Sequence, residues 1–210
     1  MRVYDLSVPV VDGVDWYRQA DCPAVRVADI GSYARDGWRS HTVSVMVLNG
    51  TTYLETAAHI YEDQPTLDQI PPERFVSRAF VVKLEPCDQV LPAPEDAIEG
   101  FQPEVDSILL SCGWDRRMHA RDYYHASPHF STELQGWLLA HRPSILGGDM
   151  LSFDHPQDEQ MPFVREFFRL GGMILCPLVG VEELPRQVTL CAAPMRLAGA
   201  NAAPCRALAW

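Results

Sequence analysis

The chain has 210 residues, of which 47% are hydrophobic, and a formal net charge of -11. A chain of this length can bury a substantial core, so we expect residues 1–210 to form one domain. Lys and Arg number 17 against 28 Asp and Glu, which disfavours a nucleic-acid partner because no basic cluster can neutralise phosphates. No stretch reaches the roughly 18 apolar residues of a membrane span, and residues 1–6 lack the apolar core of a signal peptide. We therefore expect a cytoplasmic protein that acts on a small molecule and has no membrane partner.

The cysteines are spread along the chain, with no Cys-x-x-Cys pair and no zinc-finger spacing. We expect free thiols in a reducing compartment. Cys112, Cys176 and Cys191 lie in apolar, strand-like runs, where a thiol usually behaves as a small buried hydrophobe. The others are Cys22, Cys87 and Cys205.

The first part of the chain predicts two strands separated by an irregular segment. Residues 2–10 predict a strand that Pro9 closes. Residues 11–40 are rich in turn formers, and we expect a flap with one short helix, whose aromatic side chains either line a pocket or pack half-buried. Residues 41–48 alternate, with three valines on one face, which is typical of a half-buried strand.

The rest of the chain predicts further strands and two main helices. The clearest helix spans residues 132–142, with a capping box between Thr132 and Gln135 and Pro143 directly after its end. The proline-rich residues 86–104 predict a surface connection. The other predicted elements are strands at 79–84, 108–114, 144–149 and 173–176, and helices at 95–100 and 162–170.

Polar, ionisable side chains first enter an apolar neighbourhood at residues 49–59. If the chain is extended there, Tyr53 and Glu55 share a face, and a helical turn over the next residues brings Glu55 and His59 onto one side. A phenol, a carboxylate and an imidazole can exchange protons, and burial can tune their acidity towards neutral pH. On spacing alone, a Glu and a His at a strand end are more often a solvated pair than a catalytic one.

The same segment resembles the motif His-x-Gly-Thr-His-x-Asp-x-Pro-x-His of the cyclase family, which includes bacterial arylformamidases and isatin hydrolase. One residue is inserted between the glycine and the threonine of the motif in this chain. The matching positions are Gly50 and Thr52, then Tyr53, Glu55, Ala57 and His59 in place of the motif's His, Asp, Pro and last His. Weaker matches to the family at 68–75, 108–114, 144–154 and the closing strands extend the resemblance over nearly the whole chain.

The resemblance implies an α/β protein with the swivelling β/β/α fold, in one domain, that assembles as a homodimer or tetramer. It also implies that metal-binding relatives hold zinc or manganese with side chains that this chain has largely replaced. The replaced positions are Leu48 or Asn49, Tyr53, Glu55, Val164 and Cys176. Since such metals need three or four His, Cys or carboxylate ligands, we expect no cofactor, with zinc or manganese as the alternative.

His59 occupies the position of the family's proton-transfer residue, and the resemblance therefore implies a catalytic role for it. We predict a metal-independent enzyme of cyclase or lyase type acting on a small carbonyl compound. In this hypothesis His59 is the base, Tyr53 is the acid or oxyanion donor and Glu55 orients the imidazole. Trp114 at a strand end, Asn49 in the motif and Trp38 in the flap are the candidate substrate-binding residues.

Two alternatives remain open. The first is a metal-dependent amide or lactam hydrolase whose ligand set has been rebuilt, for example with Cys176 or His41. The second is a binding protein that keeps the fold without the chemistry. The resemblance also places Asp149 and Asp154 in a conserved-looking loop pattern, where a structural role is expected.

Overall fold

The computed structural model describes residues 1–18, 22–86, 88–95 and 98–210. Within these ranges the strands are β1 (Tyr4–Asp5), β2 (Arg26–Gly31), β3 (Ser40–Ser44), β4 (Tyr53–Glu55), β5 (Val76–Lys83), β6 (Val90–Leu91), β7 (Ser107–Ser111), β8 (His129–Phe130), β9 (Ile145–Gly148), β10 (Met173–Cys176), β11 (Gln187–Pro194) and β12 (Ala202–Ala209). The α-helices are α1 (Tyr33–Asp36), α2 (Thr132–His141) and α3 (Pro162–Arg169). Short 3-10 helices lie between them, at Ala57–His59, Leu67–Gln69, Pro72–Phe75, Trp114–Arg117 and Val181–Glu183.

The main sheet closes on itself. Its strands follow the order β12-β11-β5-β7-β9-β10-β4, and β4 pairs back onto β12 to complete a barrel of seven strands, with β1 added beside β12. Strands β5, β7, β9 and β10 are parallel, while β4, β11 and β12 pair antiparallel with their neighbours. The helices α2 and α3 form the crossovers from β7 to β9 and from β9 to β10, as parallel strands require.

Two hydrophobic clusters occupy the two faces of this sheet. The inner cluster takes side chains from all seven barrel strands, for example Leu54, Leu109 and Leu175. The outer cluster combines the opposite faces of the strands with the buried faces of α2 and α3. Because side chains alternate along a strand, β4, β5, β7, β9, β10 and β12 contribute to both clusters.

The two main predicted helices and the buried strands are present with small shifts in their ends. Strand 173–176 and helix 162–170 correspond to β10 and α3, and helix 132–142 corresponds to α2. The capping prediction was wrong by one residue, because the Ser131 hydroxyl accepts the Leu134 N–H at 3.1 Å and makes Ser131 the N-cap. The strand predicted for 2–10 shrinks to β1 and an isolated bridge at Ser7.

The half-buried strand predicted for residues 41–48 was wrong. Only Ser40–Ser44 is a strand, and it pairs with β2 in a separate two-stranded sheet beside the barrel. Val43 is 57% exposed there, because no described element forms a second layer over this hairpin. The flap does contain a short helix, α1, as predicted.

Asp96 and Ala97 of the helix predicted at 95–100, and Cys87 among the predicted thiols, lie outside the described residues. Cys112, Cys176, Cys191 and Cys205 are free thiols. None of the helices in the described part of the chain is long and apolar enough to cross a membrane.

Candidate active site

A cavity of about 290 Å³ lies against the outer face of β4 and β10. The segment 151–164, which leads into α3, forms its other side. This volume suits a small metabolite. The lining residues that the following paragraphs discuss are Tyr17, Leu48, Tyr53, Glu55, His59, Tyr124, Asp154, Asp158, Glu159, Val164 and Cys176.

Strand β4 places Tyr53 and Glu55 on the cavity side of the barrel wall. Leu54 between them belongs to the inner cluster, whereas Tyr53 packs in the outer cluster. The strand is held on both edges, since Glu55 is opposite Ile174 on β10 and Ala202 on β12. A short strand fixed on both sides gives its two polar side chains a defined position.

Glu55 is a buried carboxyl group without a hydrogen-bond partner for one of its oxygens. The residue is 5% exposed, and its Oε1 makes no hydrogen bond to any described residue. That oxygen lies 3.1 Å from His59 Nδ1, a distance at which an ion pair is possible. The separation does not give a hydrogen bond, because Nδ1 is engaged by another group. Burial raises the pKa of Glu55 to about 8.

His59 ends the 3-10 helix Ala57–His59 and lines the cavity. The side-chain amide nitrogen of Asn201 lies 2.9 Å from His59 Nδ1. Since an amide nitrogen can only donate, Nδ1 accepts and the neutral ring carries its proton on Nε2. Burial lowers the pKa of His59, which favours this neutral ring. The predicted orienting role of Glu55 therefore falls to Asn201.

Tyr53 and Cys176 form a buried pair beside Glu55. They are directly opposite each other in the β4–β10 register, and the Cys176 thiol donates to the Tyr53 hydroxyl oxygen at 3.2 Å. Burial raises the pKa of Tyr53 well above its usual value and that of Cys176 to about 12. Both groups are thus neutral near pH 7, and the Tyr53 hydroxyl keeps a proton that it can donate.

The three residues predicted to bind substrate lie outside this cavity. Trp114 Nε1–H donates to the Tyr123 carbonyl oxygen at 3.1 Å, and its ring stacks on that of Tyr123, because the chain turns inward directly after β7. Asn49 is fully buried and its Oδ1 accepts the Trp16 N–H at 2.7 Å, which ties down the N-terminal segment. Trp38 is 50% exposed on the β2–β3 side of the molecule, where its ring covers Gly31.

Several residues that line the cavity or contact a lining residue were not predicted individually from the sequence. Asn201 follows β11 in an ordinary loop, and no local pattern connects it with His59, which is 142 residues away. Tyr17 belongs to the flap whose aromatic residues were candidate pocket residues, and it packs on Tyr124 at a ring-centroid distance of 4.4 Å. Of the two candidate positions for the first motif histidine, Leu48 lines the cavity and Asn49 does not.

The two aspartates of the 144–154 stretch hold loops. Asp149 accepts the backbone N–H groups of Cys112 and Gly113, and so fixes the turn after β7. Asp154 accepts the N–H groups of Phe163 at 2.9 Å and Val164 at 3.0 Å, which lie in the first turn of α3. Asp154 thereby connects the cavity rim to the start of that helix.

The residues present do not fit a zinc or manganese site of the kind the resemblance implies. Four of the corresponding positions are Leu48, Tyr53, Val164 and Cys176, which offer hydrocarbon, a neutral phenol and a protonated thiol. Metal ligands must be deprotonated, and burial opposes this at Tyr53 and Cys176. Among the described residues no three His, Cys, Asp or Glu side chains are grouped to hold an ion. His41, considered as a replacement ligand, instead contacts Asp29 at 2.6 Å on the exposed hairpin.

Residues 4–155 match the family model described as "Putative cyclase". The chain belongs to this family. No curated protein sequence matches it.

Solved structures of cyclase-family proteins have the same fold. Isatin hydrolase A from Ralstonia solanacearum is 20% identical, with a TM-score of 0.83, over 99% of this chain and 91% of that chain. Isatin hydrolase A from Labrenzia aggregata, bound to benzyl benzoate, is 23% identical with a TM-score of 0.79, over 99% and 93% of the two chains. A "predicted metal-dependent hydrolase" from Bacillus stearothermophilus is 20% identical with a TM-score of 0.77, over 99% and 97%. The predicted α/β class with the swivelling β/β/α arrangement is confirmed.

Proposed function

We propose that this cyclase-family protein is an enzyme that transfers protons on a small carbonyl compound, using Glu55 and His59 and no bound metal. The observation that carries the proposal is the unpaired Glu55 Oε1 atom, 3.1 Å from His59 Nδ1, on the wall of the cavity. A buried carboxyl group without a hydrogen-bond partner is costly to the fold. Such a cost is common where a group must be free to react with a ligand.

Glu55 is the proposed general base. With a pKa of about 8, roughly one carboxyl in ten is ionised at pH 7, and this form can remove a proton from carbon next to a carbonyl group. The protonated carboxyl can then return the proton at another atom. This sequence describes an isomerisation, a dehydration or a ring closure, according to where the proton is returned.

Tyr53 and His59 are the proposed donors to the substrate oxygen. The Tyr53 hydroxyl accepts from Cys176 and has its own proton available, and the neutral His59 ring has its proton on Nε2. Hydrogen bonds from neutral donors stabilise the negative charge that forms on the carbonyl oxygen when Glu55 takes the proton. Asn201 is a positioning residue that holds the ring in this tautomer.

A hydrolase is the second candidate. It is favoured by the names of the proteins with the same fold, two of which are isatin hydrolases. Here a carboxylate such as Glu55 would have to activate water directly or with a metal bound by a ligand set that differs from the relatives'. The third possibility is a binding protein, in which the same cavity holds a ligand without converting it.

The first test is deuterium incorporation from heavy water into a panel of small ketones, lactones and lactams, followed by proton NMR. We expect the protein, purified without a metal-chelating tag, to catalyse this exchange. The exchange rate should be unchanged after treatment with a chelator, and elemental analysis should give no stoichiometric zinc or manganese. Glu55→Gln and His59→Ala should reduce the rate by about 10²- to 10⁴-fold. His119→Ala is the matched control, because His119 is exposed and does not line the cavity.

Two outcomes would contradict the proposal. Loss of activity in chelator, with recovery on adding zinc or manganese, would favour the hydrolase. Ligand binding without any exchange or hydrolysis across the panel would favour the binding protein.

A further inference from the structure

Acidic side chains predominate among the ionisable groups that line the cavity. Four carboxyl groups line it, those of Glu55, Asp154, Asp158 and Glu159, and no lining residue is Lys or Arg. Asp158 and Glu159 are exposed at the mouth, where their carboxyl groups are accessible to an approaching ligand. The whole chain has the same sign, with a formal net charge of -11.

The deep part of the cavity offers an acceptor and no cation. Glu55 is 5% exposed, and its Oε1 has no hydrogen-bond partner among the described residues. Asp154 is engaged by two backbone N–H groups of α3. Among the described lining residues, a ligand carboxylate would therefore find no guanidinium or ammonium to pair with.

Two tyrosine rings form part of the remaining surface. Tyr17 and Tyr124 pack on each other at 4.4 Å and both line the cavity. The faces of phenol rings attract ammonium groups through their quadrupoles, and neighbouring carboxylates strengthen that attraction.

We infer that the cavity takes a small organic ammonium compound in preference to a carboxylate. This inference rests on the proposed function, because it names the substrate class of the same cavity. Its basis is the described lining: the unpaired Glu55 oxygen, two exposed carboxyl groups at the mouth, tyrosine rings, and neither Lys nor Arg. A carbonyl compound that also carries an amine, in its ammonium form, satisfies both the proposed chemistry and this lining.

The test compares the binding of three probes of similar shape: phenethylammonium, 2-phenylethanol and phenylacetate. Binding is measured by calorimetry at low ionic strength with the full chain, and it does not depend on turnover. We expect the cation to bind about tenfold or more tighter than phenylacetate, with phenylethanol between them. Added salt should weaken binding of the cation and leave that of the alcohol unchanged.

The decisive variant is Asp158→Asn with Glu159→Gln, which neutralises the mouth without touching the proposed catalytic residues. The matched control is Glu73→Gln with Glu85→Gln, which changes the net charge equally at two exposed residues that do not line the cavity. We expect the mouth variant to weaken cation binding about three- to tenfold, with no change for the alcohol or in the control.

Three results would overturn the inference: phenylacetate binding as tightly as the cation, equal effects in the two double variants, or no binding of any probe at millimolar concentration. Proton exchange on a carbonyl substrate could still be observed in each case. Failure of the inference is thus distinguishable from failure of the proposed function.

Discussion

Glu55 combines deep burial with an oxygen that no described residue satisfies, and this has a cost in stability. Its pKa rises from 4.5 to about 8 because burial disfavours the charged form. A raised carboxyl pKa means that the folded state holds a proton which the unfolded chain has already lost between these two pH values. The free energy of unfolding must therefore fall as the pH rises through this window. The contribution of the Glu55 proton is fully present only below the pKa of the unfolded state.

We predict that Glu55→Gln removes this pH dependence. Relative to the variant, the wild-type protein should lose about 4 kcal/mol of unfolding free energy between pH 4.5 and pH 9. Urea unfolding at a series of pH values measures the difference between the two proteins, so that other titrating groups cancel. Parallel stability profiles for the two proteins would show that Glu55 is not held in its neutral form.

The residues whose position the sequence could indicate are those close together along the chain. Tyr53, Glu55 and His59 lie within one strand and one helical turn, so local periodicity was enough to bring them together. Asn201 could not be found this way, because its contact depends on the closure of the barrel. Trp114 was misassigned because a strand end does not determine whether the following side chain turns towards the cavity or into the core.

Within single helices and strands, two glycines show the difference between a position where helix propensity decides stability and one where packing decides it. Gly136 lies in the middle of α2, and a Cβ added there would meet nothing within 4 Å. Gly147 lies in β9, where a Cβ would come within 2.6 Å of Leu109 Cδ2 and 3.3 Å of the Leu175 carbonyl oxygen. The same substitution therefore meets open space in one element and the barrel interior in the other.

We predict opposite effects of these two substitutions on stability. Gly136→Ala should raise the free energy of unfolding by about 0.5–1 kcal/mol, because alanine favours the helix. Gly147→Ala should lower it by about 1–3 kcal/mol through overpacking. Urea unfolding measures both, and each variant is the control for the other. A neutral Gly147→Ala would indicate that β9 can move away from its neighbours without cost.

Strand β10, which is buried on both faces, and helix α3, which buries one face, were the most predictable elements. Strand β10 and helix α3 were found with almost their observed bounds, since a short apolar run and a helical stripe each have one main interpretation. The alternating run at 41–48 was misinterpreted because alternation indicates an extended chain, whereas burial depends on what covers it. The hairpin of β2 and β3 has no covering layer.

For the molecule as a whole, the barrel and the hairpin of β2 and β3 differ in how they are held. Strands β7, β9 and β10 are buried throughout and are paired on both edges. The hairpin forms its own two-stranded sheet and is mostly exposed. Local opening should therefore need much less free energy in the hairpin than in the barrel.

We predict that amide hydrogen exchange separates these two parts. Amides of β7, β9 and β10 should exchange only by global unfolding, and those of β2 and β3 should open at least about 2 kcal/mol more easily. Exchange followed by NMR or mass spectrometry provides the comparison, with β5 and β11 as barrel references. Equal protection in the hairpin would mean that something covers it in solution, such as a second copy of the chain.

The solved structures confirm the predicted fold class, because their fold matches that of this chain over 99% of its length. The single domain, the homo-oligomer and the cytoplasmic location stay predictions. They depend on surfaces and partners outside the contacts within one chain.

The contact between Asn201 and His59 has a consequence for synthesis of the protein. These residues are 142 positions apart, and Asn201 directly precedes the strand that closes the barrel against β4. At ribosomal speeds of about 5–20 residues per second, Asn201 is added roughly 7 to 30 seconds after His59. During this interval a nascent chain carries Glu55 and His59 without the partner that contacts the imidazole, and the complete site cannot form before Asn201 has been added.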